Sequence, residues 1–220
     1  MIKIGINGFG RIGRLVLRAA LEKSDNNIEV VAINDLGSLD QNLHLLKYDS
    51  IHGALAFSCE IEGNKAYINN KEISFYNKRN PEEIPWEQHN IDIVLECTGI
   101  FTASADASKH LGGSVKKVLI SAPSSDADIT IVYGVNNNLL KKEHKVISNA
   151  SCTTNCLAPV AKVLHENFGI KSGYMTTIHS YTGDQPSLDT MHKDLYRARA
   201  AALSMIPTST GAAKAVSLVM

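Results

Sequence analysis

Gly8-x-Gly10-x-x-Gly13 lies between an alternating apolar run, Ile2 to Asn7, and a stretch with Ile12, Leu15, Val16 and Ala19 at helical spacing. Strand, glycines, then helix leaves few folds open. Glycine at Gly8 permits a tight turn out of the strand. At Gly10 it lets backbone approach a pyrophosphate, and at Gly13 it lets the helix pack closely on the strand. The helix start offers free N–H groups and a positive dipole end to phosphate, and Arg11 adds a cation there. Ile28 to Ile33, "IEVVAI", reads as a buried parallel strand and completes a βαβ unit. Asp35 follows it, 22 residues beyond Gly13, where an acid accepts both ribose hydroxyls. A carboxylate there repels a 2′-phosphate, which favours NAD over NADP.

Leu39 to Tyr48 again reads as helix. From Ala56 to Tyr76 the pattern changes to short strands, "FSCEIEG", "KAYIN" and "EISFYN", with "EGN" and "NNK" turns between them, which predicts antiparallel hairpins. "NPEEIPWEQHN" reads as loop and "IDIVLECTG" as a buried strand. Ala103 to Leu111 reads as a helix started by Thr102, and "KKVLISAP" and "ITIVYGV" as further strands. Asn149 to Thr154 is a helix entry. Leu157, Val160, Ala161, Leu164 and Phe168 continue that helix, with a kink expected at Pro159. "GYMTTIHSY" reads as a strand and Thr182 to about Leu203 as a long ordered loop. The expected fold class is α/β. A Rossmann-type parallel-sheet domain over residues 1–150 precedes part of an α+β catalytic domain, with a mostly antiparallel sheet, over 151–220. The closing "KAVSLVM" carries no helix stop signal, which reads as truncation at the C-terminus.

Composition narrows the function classes. A chain that is 44% hydrophobic and 20% charged supports a buried core. Lys+Arg and Asp+Glu both number 22, so bulk charge attracts neither nucleic acid nor an anionic membrane. No apolar run approaches a membrane span, and the N-terminus enters a strand pattern without the apolar segment of a signal peptide. Cys59, Cys97, Cys152 and Cys156 are too few for a disulfide scaffold and lack the paired spacing of structural zinc. No metal site is expected, and a reducing cytoplasm is the setting these thiols imply.

Cys152 sits in "SNASCTTNC" at the start of a predicted helix, where free N–H groups favour a thiolate. Cys156 is one turn deeper and reads as a small buried hydrophobe, as do Cys59 and Cys97. Any one of eight histidines is more often filler than a base. His179 differs because it lies on the element after Cys152, and the Phe168–Gly169 turn brings that element back beside the helix.

"INGFGRIGR", "SNASCTTNC", "TTIHSYTGDQ", "HKDLYRARAA" and "IPTSTGAAKAV" occur in one order along the whole chain. Together they resemble the phosphorylating glyceraldehyde-3-phosphate dehydrogenases. The resemblance implies an oxidoreductase of glycolysis and gluconeogenesis, in which Cys152 attacks the aldehyde of glyceraldehyde 3-phosphate and His179 accepts the hemithioacetal proton. Hydride passes to NAD, and inorganic phosphate cleaves the resulting thioester to 1,3-bisphosphoglycerate. It places Gly8, Gly10, Arg11, Ile12, Gly13, Asp35, Arg79, Thr98, Gly99, Ser121 and Ala122 around the cofactor. It assigns Ser151, Thr153, Thr210 and Gly211 to inorganic phosphate and Thr182 and Asp184 to the substrate's phosphate, with Arg197 between the two. The "HKDLYRARAA" loop implies a homotetramer, because in the family it reaches toward a neighbouring subunit's cofactor. Thr190 and Met191 stand where many NAD-specific members have Leu-Pro, which leaves NADP use open. Two alternatives differ in outcome: an erythrose-4-phosphate dehydrogenase that hydrolyses its thioester, or a catalytically incompetent nucleotide-binding fragment. Taken alone, a chain of 220 residues is expected to be inactive or weakly stable.

Overall fold

A computed structural model describes residues 1–23, 27–63 and 65–220. They divide into two units, Met1–Ser151 and Cys152–Met220. Apolar runs buried on both faces need layers packed on both faces of the sheet, and the first unit supplies them. It runs β1 (Ile2–Asn7), α1 (Arg11–Glu22), β2 (Ile28–Asn34) and α2 (Leu39–Lys47), then a small antiparallel ribbon of β3 (Tyr48–Asp49) and β4 (Gly53–Ala54). The meander β5 (Cys59–Glu62), β6 (Lys65–Ile68) and β7 (Lys71–Tyr76) follows. After it come β8 (Ile93–Glu96), α3 (Ser104–Ala107), β9 (Lys117–Ile120), β10 (Ile129–Thr130) and β11 (Val146–Ser148).

Nine of these strands form one sheet in the order β10-β11-β9-β8-β1-β2-β7-β6-β5. Pairing is parallel from β10 to β7 and antiparallel from β7 to β5. The chain leaves β1 toward β2 on one side and later returns to β8 on the other. The carboxyl ends of β1 and β8 therefore flank the switch point where open sheets of this kind bind ligands. One core cluster joins Ile4, Ile6, Phe9, Leu17, Ile33, Leu46 and Ile73. A second, with Ala32, Ile84, Trp86, Ile91 and Val94, covers the opposite face, since Ala32 and Ile33 are consecutive in one strand.

The structure departs from the sequence reading at several elements. "NPEEIPWEQHN" is not plain loop: it forms two 3₁₀ turns, Pro81–Glu83 and Trp86–His89, that bury Ile84 and Trp86. The helix expected from Ala103 is only α3 followed by a 3₁₀ turn, Ser108–His110. Gly112 and Gly113, both at positive φ, turn the backbone away after it. "ITIVYGV" pairs only at Ile129–Thr130. There the Asn136 side chain accepts from Val132 N and donates to the Thr130 carbonyl, folding the following residues into a turn. The unanticipated β11 sits between β9 and β10. Asn64, in the expected "EGN" turn, lies outside the described residues.

The second unit holds α4 (Cys152–Phe168), which runs continuously through Pro159, and α5 (Ala212–Val216). No strand occurs among the described residues of this unit, and "GYMTTIHSY" is mostly exposed and unpaired. A strand is stable only within a ladder, and no strand pairs with this segment among the described residues. Among the described residues no helix is long and apolar enough to cross a membrane.

Candidate active site

At the end of β1 the three glycines meet three different surroundings. Gly8 has φ +89, and a Cβ there would lie 2.7 Å from Thr98 N. At Gly13 a Cβ would lie 2.2 Å from the Gly8 carbonyl oxygen, so helix and turn touch only because Gly13 lacks a side chain. A Cβ on Gly10 would meet nothing within 4 Å. That open space at the first turn of α1 suits an incoming phosphate group. Ile12 is half exposed beside it, and Arg11 is paired with Asp49 at 2.7 Å.

Asp35, just beyond β2, accepts from Phe9 N at 2.7 Å through Oδ2, and from Gly37 N and Asn42 Nδ2 through Oδ1. Each carboxylate oxygen has two lone pairs, so Oδ2 keeps an acceptor site, which suits a ribose hydroxyl. Thr98 and Gly99 follow β8, Ser121 and Ala122 follow β9, and Arg79 lies exposed beyond β7. All these strands are parallel, so every expected cofactor residue lies at the carboxyl edge of one sheet. The residues present fit a dinucleotide.

β11 leads the chain toward Cys152. Ser148 Oγ donates to the Ala122 carbonyl and accepts from Ala150 N, and Ala150 stands at φ +56, a left-handed conformation unusual for a residue with a Cβ. Cys152 is the first residue of α4, where the helix dipole favours an anion. Its Sγ is 3.2 Å from His179 Nε2. The other ring nitrogen, Nδ1, contacts the Ser180 carbonyl, which can only accept. Nδ1 therefore carries a proton, and Nε2 is the nitrogen that exchanges one with the thiol.

Partial burial pushes the Cys152 thiol up, but the hydrogen bond and charge of His179 and bonds from Thr153 outweigh it, so the thiol lies below its ordinary value. His179 is raised, first by the Ser180 carbonyl and then by Cys152. Cys97 shows the contrast: burial pushes it up to about 11. A cavity of about 540 Å³ opens beside the pair, lined by Cys152, Thr153, Cys156, Leu157, Val160 and the segment from Met175 to Ser180. Its size suits a small metabolite. Cys156 is exposed on this wall rather than buried as expected, because the four-residue spacing puts it on the same helix face as Cys152.

Asp184, Arg197 and Thr182 form one cluster. Arg197 donates to Asp184, His192 lies 3.2 Å from the same carboxylate, and Thr182 Oγ1 accepts from Asp184 N. The Arg197 and His192 contacts hold Asp184 below the usual carboxylate range. Ser151 immediately precedes Cys152. Thr210 Oγ1 accepts from Ala212 N beside Gly211, at the start of α5. Sequence reasoning passed over Asn7, Asn34 and Glu96, all buried. A signal was available: each is the polar last residue of its strand.

Comparison with known proteins finds similar sequences along the whole chain. Two family models match, one described as glyceraldehyde 3-phosphate dehydrogenase, NAD binding domain, over residues 2–104, and one as the C-terminal domain, over 151–220. Proteins named glyceraldehyde-3-phosphate dehydrogenase from Xanthobacter flavus and Geobacillus stearothermophilus are each 60% identical across 100% of this chain. One named glyceraldehyde-3-phosphate dehydrogenase 1 from Bacillus cereus is 61% identical, again across 100% of it. The chain spans 65%, 65% and 66% of those three relatives' lengths.

Proposed function

The chain belongs to the glyceraldehyde-3-phosphate dehydrogenase family, and from that premise we propose that it converts glyceraldehyde 3-phosphate, NAD and inorganic phosphate to 1,3-bisphosphoglycerate and NADH, a step of glycolysis. When bound, NAD supplies the hydride acceptor. Cys152 Sγ adds to the aldehyde carbon and forms a hemithioacetal. His179 Nε2 takes the hydroxyl proton as that carbon is oxidised to the thioester. The Nδ1 contact with the Ser180 carbonyl keeps the ring oriented through the step. Phosphate oxygen then attacks the thioester carbon, the carbon–sulfur bond breaks, and the thiolate returns. A thioester suits this role because it retains the free energy of oxidation in an activated acyl group.

Ser151, Thr153, Thr210 and Gly211 hold the attacking phosphate. Thr182 and Asp184 flank the substrate's own phosphate, with Arg197 serving both anions. The protein works in the cytoplasm as a homotetramer. The observation that carries this reading is the 3.2 Å contact between Cys152 Sγ and His179 Nε2 at a helix start. Following NADH absorbance with the whole protein, glyceraldehyde 3-phosphate and NAD, with and without phosphate, tests it. Sustained NADH formation that requires phosphate and is lost in Cys152→Ser is expected. Equal rates without phosphate would point instead to thioester hydrolysis, and an active Cys152→Ser variant would overturn the mechanism.

A further inference from the structure

Glu96, the last residue of β8, is fully buried, and the proposed chemistry does not use it. Its carboxylate receives four hydrogen bonds. Oε2 accepts from Asn7 Nδ2 at 2.6 Å and His110 Nε2 at 3.0 Å, and Oε1 accepts from Thr98 N at 2.8 Å and from the Thr98 hydroxyl. Two of those donors, Asn7 and His110, have their direction imposed from further away.

On one side, Lys78 N donates to Asn34 Oδ1, so Asn34 Nδ2 faces Asn7 Oδ1 at 2.8 Å. Asn7 must then turn its own Nδ2 toward Glu96. On the other side, Trp86 Nε1, which can only donate, lies 3.1 Å from His110 Nδ1. The His110 proton is therefore on Nε2, again facing Glu96. Thr98 N is a backbone donor with no choice. The site thus demands a group that accepts in every direction, which a carboxylate satisfies and an amide does not.

What the carboxylate holds is the wall of the dinucleotide site. Two of its four bonds go to Thr98, whose Oγ1 also accepts from Ile100 N at 3.0 Å, and Gly99 between them stands at φ +71. The Gly8 turn packs directly against Thr98 N. Asn7, held by the same carboxylate, is the residue from which the glycine turn departs. Glu96 therefore sets both sides of the crevice at the sheet's switch point.

We propose that Glu96 is a positioning residue for the dinucleotide, an all-acceptor node that fixes the Thr98–Gly99 turn against the glycine turn. The proposal rests on the reading of this crevice as an NAD site. Its test is calorimetric titration of NAD into the full chain, for wild type, Glu96→Gln and the double variant Asn7→Asp/Glu96→Gln, with thermal melting alongside. In Glu96→Gln one amide N–H faces a donor, and NAD affinity is expected to fall roughly tenfold in protein that remains folded. The double variant moves the carboxylate to position 7, where it accepts from Asn34 and from the new amide and lies near His110 Nε2, 3.4 Å from Asn7 Nδ2 in the wild type. Affinity is expected to return to within about threefold of wild type, a recovery that loss of generic stability does not predict. Unchanged affinity in folded Glu96→Gln would overturn the proposal while leaving the NAD site standing. So would a folded double variant that binds no better than the single one, or, if Glu96→Gln fails to fold, a folded double variant that binds weakly. If wild type itself failed to take up NAD, the reading of the crevice would fall, and this role with it.

Discussion

Gly10 and Gly13 both lack a side chain but have opposite surroundings, and they separate fold from function. A Cβ on Gly13 would lie 2.2 Å from a backbone oxygen, which no rotamer change relieves. Gly13→Ala is expected to cost about 3 kcal/mol or more in urea unfolding, at the upper end of overpacking effects. Gly10 precedes α1 at φ −66, an ordinary conformation, with open space where a Cβ would point. Gly10→Ala is expected to change stability by less than about 1 kcal/mol, yet to weaken NAD binding at least tenfold by filling the approach to the phosphates. These steric roles are legible in sequence because turn, approach and packing each demand a missing side chain at fixed spacing. Glu96 and His110 are not legible in that way. Their roles depend on which donors the ends of β1 and β8 and two 3₁₀ turns bring together, and spacing along the chain carries no record of that.

Elements were legible where one pattern decided them. The strand–glycine–helix–strand opening, the Ala56–Tyr76 hairpins and α4 all form, since hydrophobic period and turn residues agree there. Readings went astray where a side chain competed with the backbone. Asn136 bends "ITIVYGV" out of the sheet, and the three-residue β11 is too short to show any period. Arg18 marks another element-scale feature hidden in a helical pattern. It is buried in α1 and donates to the carbonyls of Leu46, Lys47 and Gly53, closing the end of α2 and the ribbon beyond it. Arg18→Met would leave those carbonyls without this donor. A loss of about 2–3 kcal/mol, measured by urea unfolding, is expected.

At the scale of the whole chain the two units differ in what a pattern can tell. In the first, apolar periodicity names faces that find their partners within the unit, in the two core clusters. In the second, Val160, Leu164 and Phe168 repeat at helical spacing on α4 yet stand exposed. Periodicity marks a face that can be covered, not what covers it. The expected strand at "GYMTTIHSY" shows the same limit, since a ladder needs neighbours that a single run does not specify. His179 is nonetheless held at Cys152 within that unit, and the proposed reaction hinges on this pair. Iodoacetamide alkylation of Cys152 across a pH series, resolved from Cys156 by peptide mass spectrometry, tests it most directly. Because the thiol is lowered and only the thiolate reacts, alkylation is expected to reach half its maximum at a pH below that of an ordinary cysteine. His179→Gln removes the opposing charge, so it is expected to shift that midpoint upward and slow alkylation several-fold near neutrality. A Cys152 that titrates as an ordinary thiol, unchanged by His179→Gln, would contradict the account.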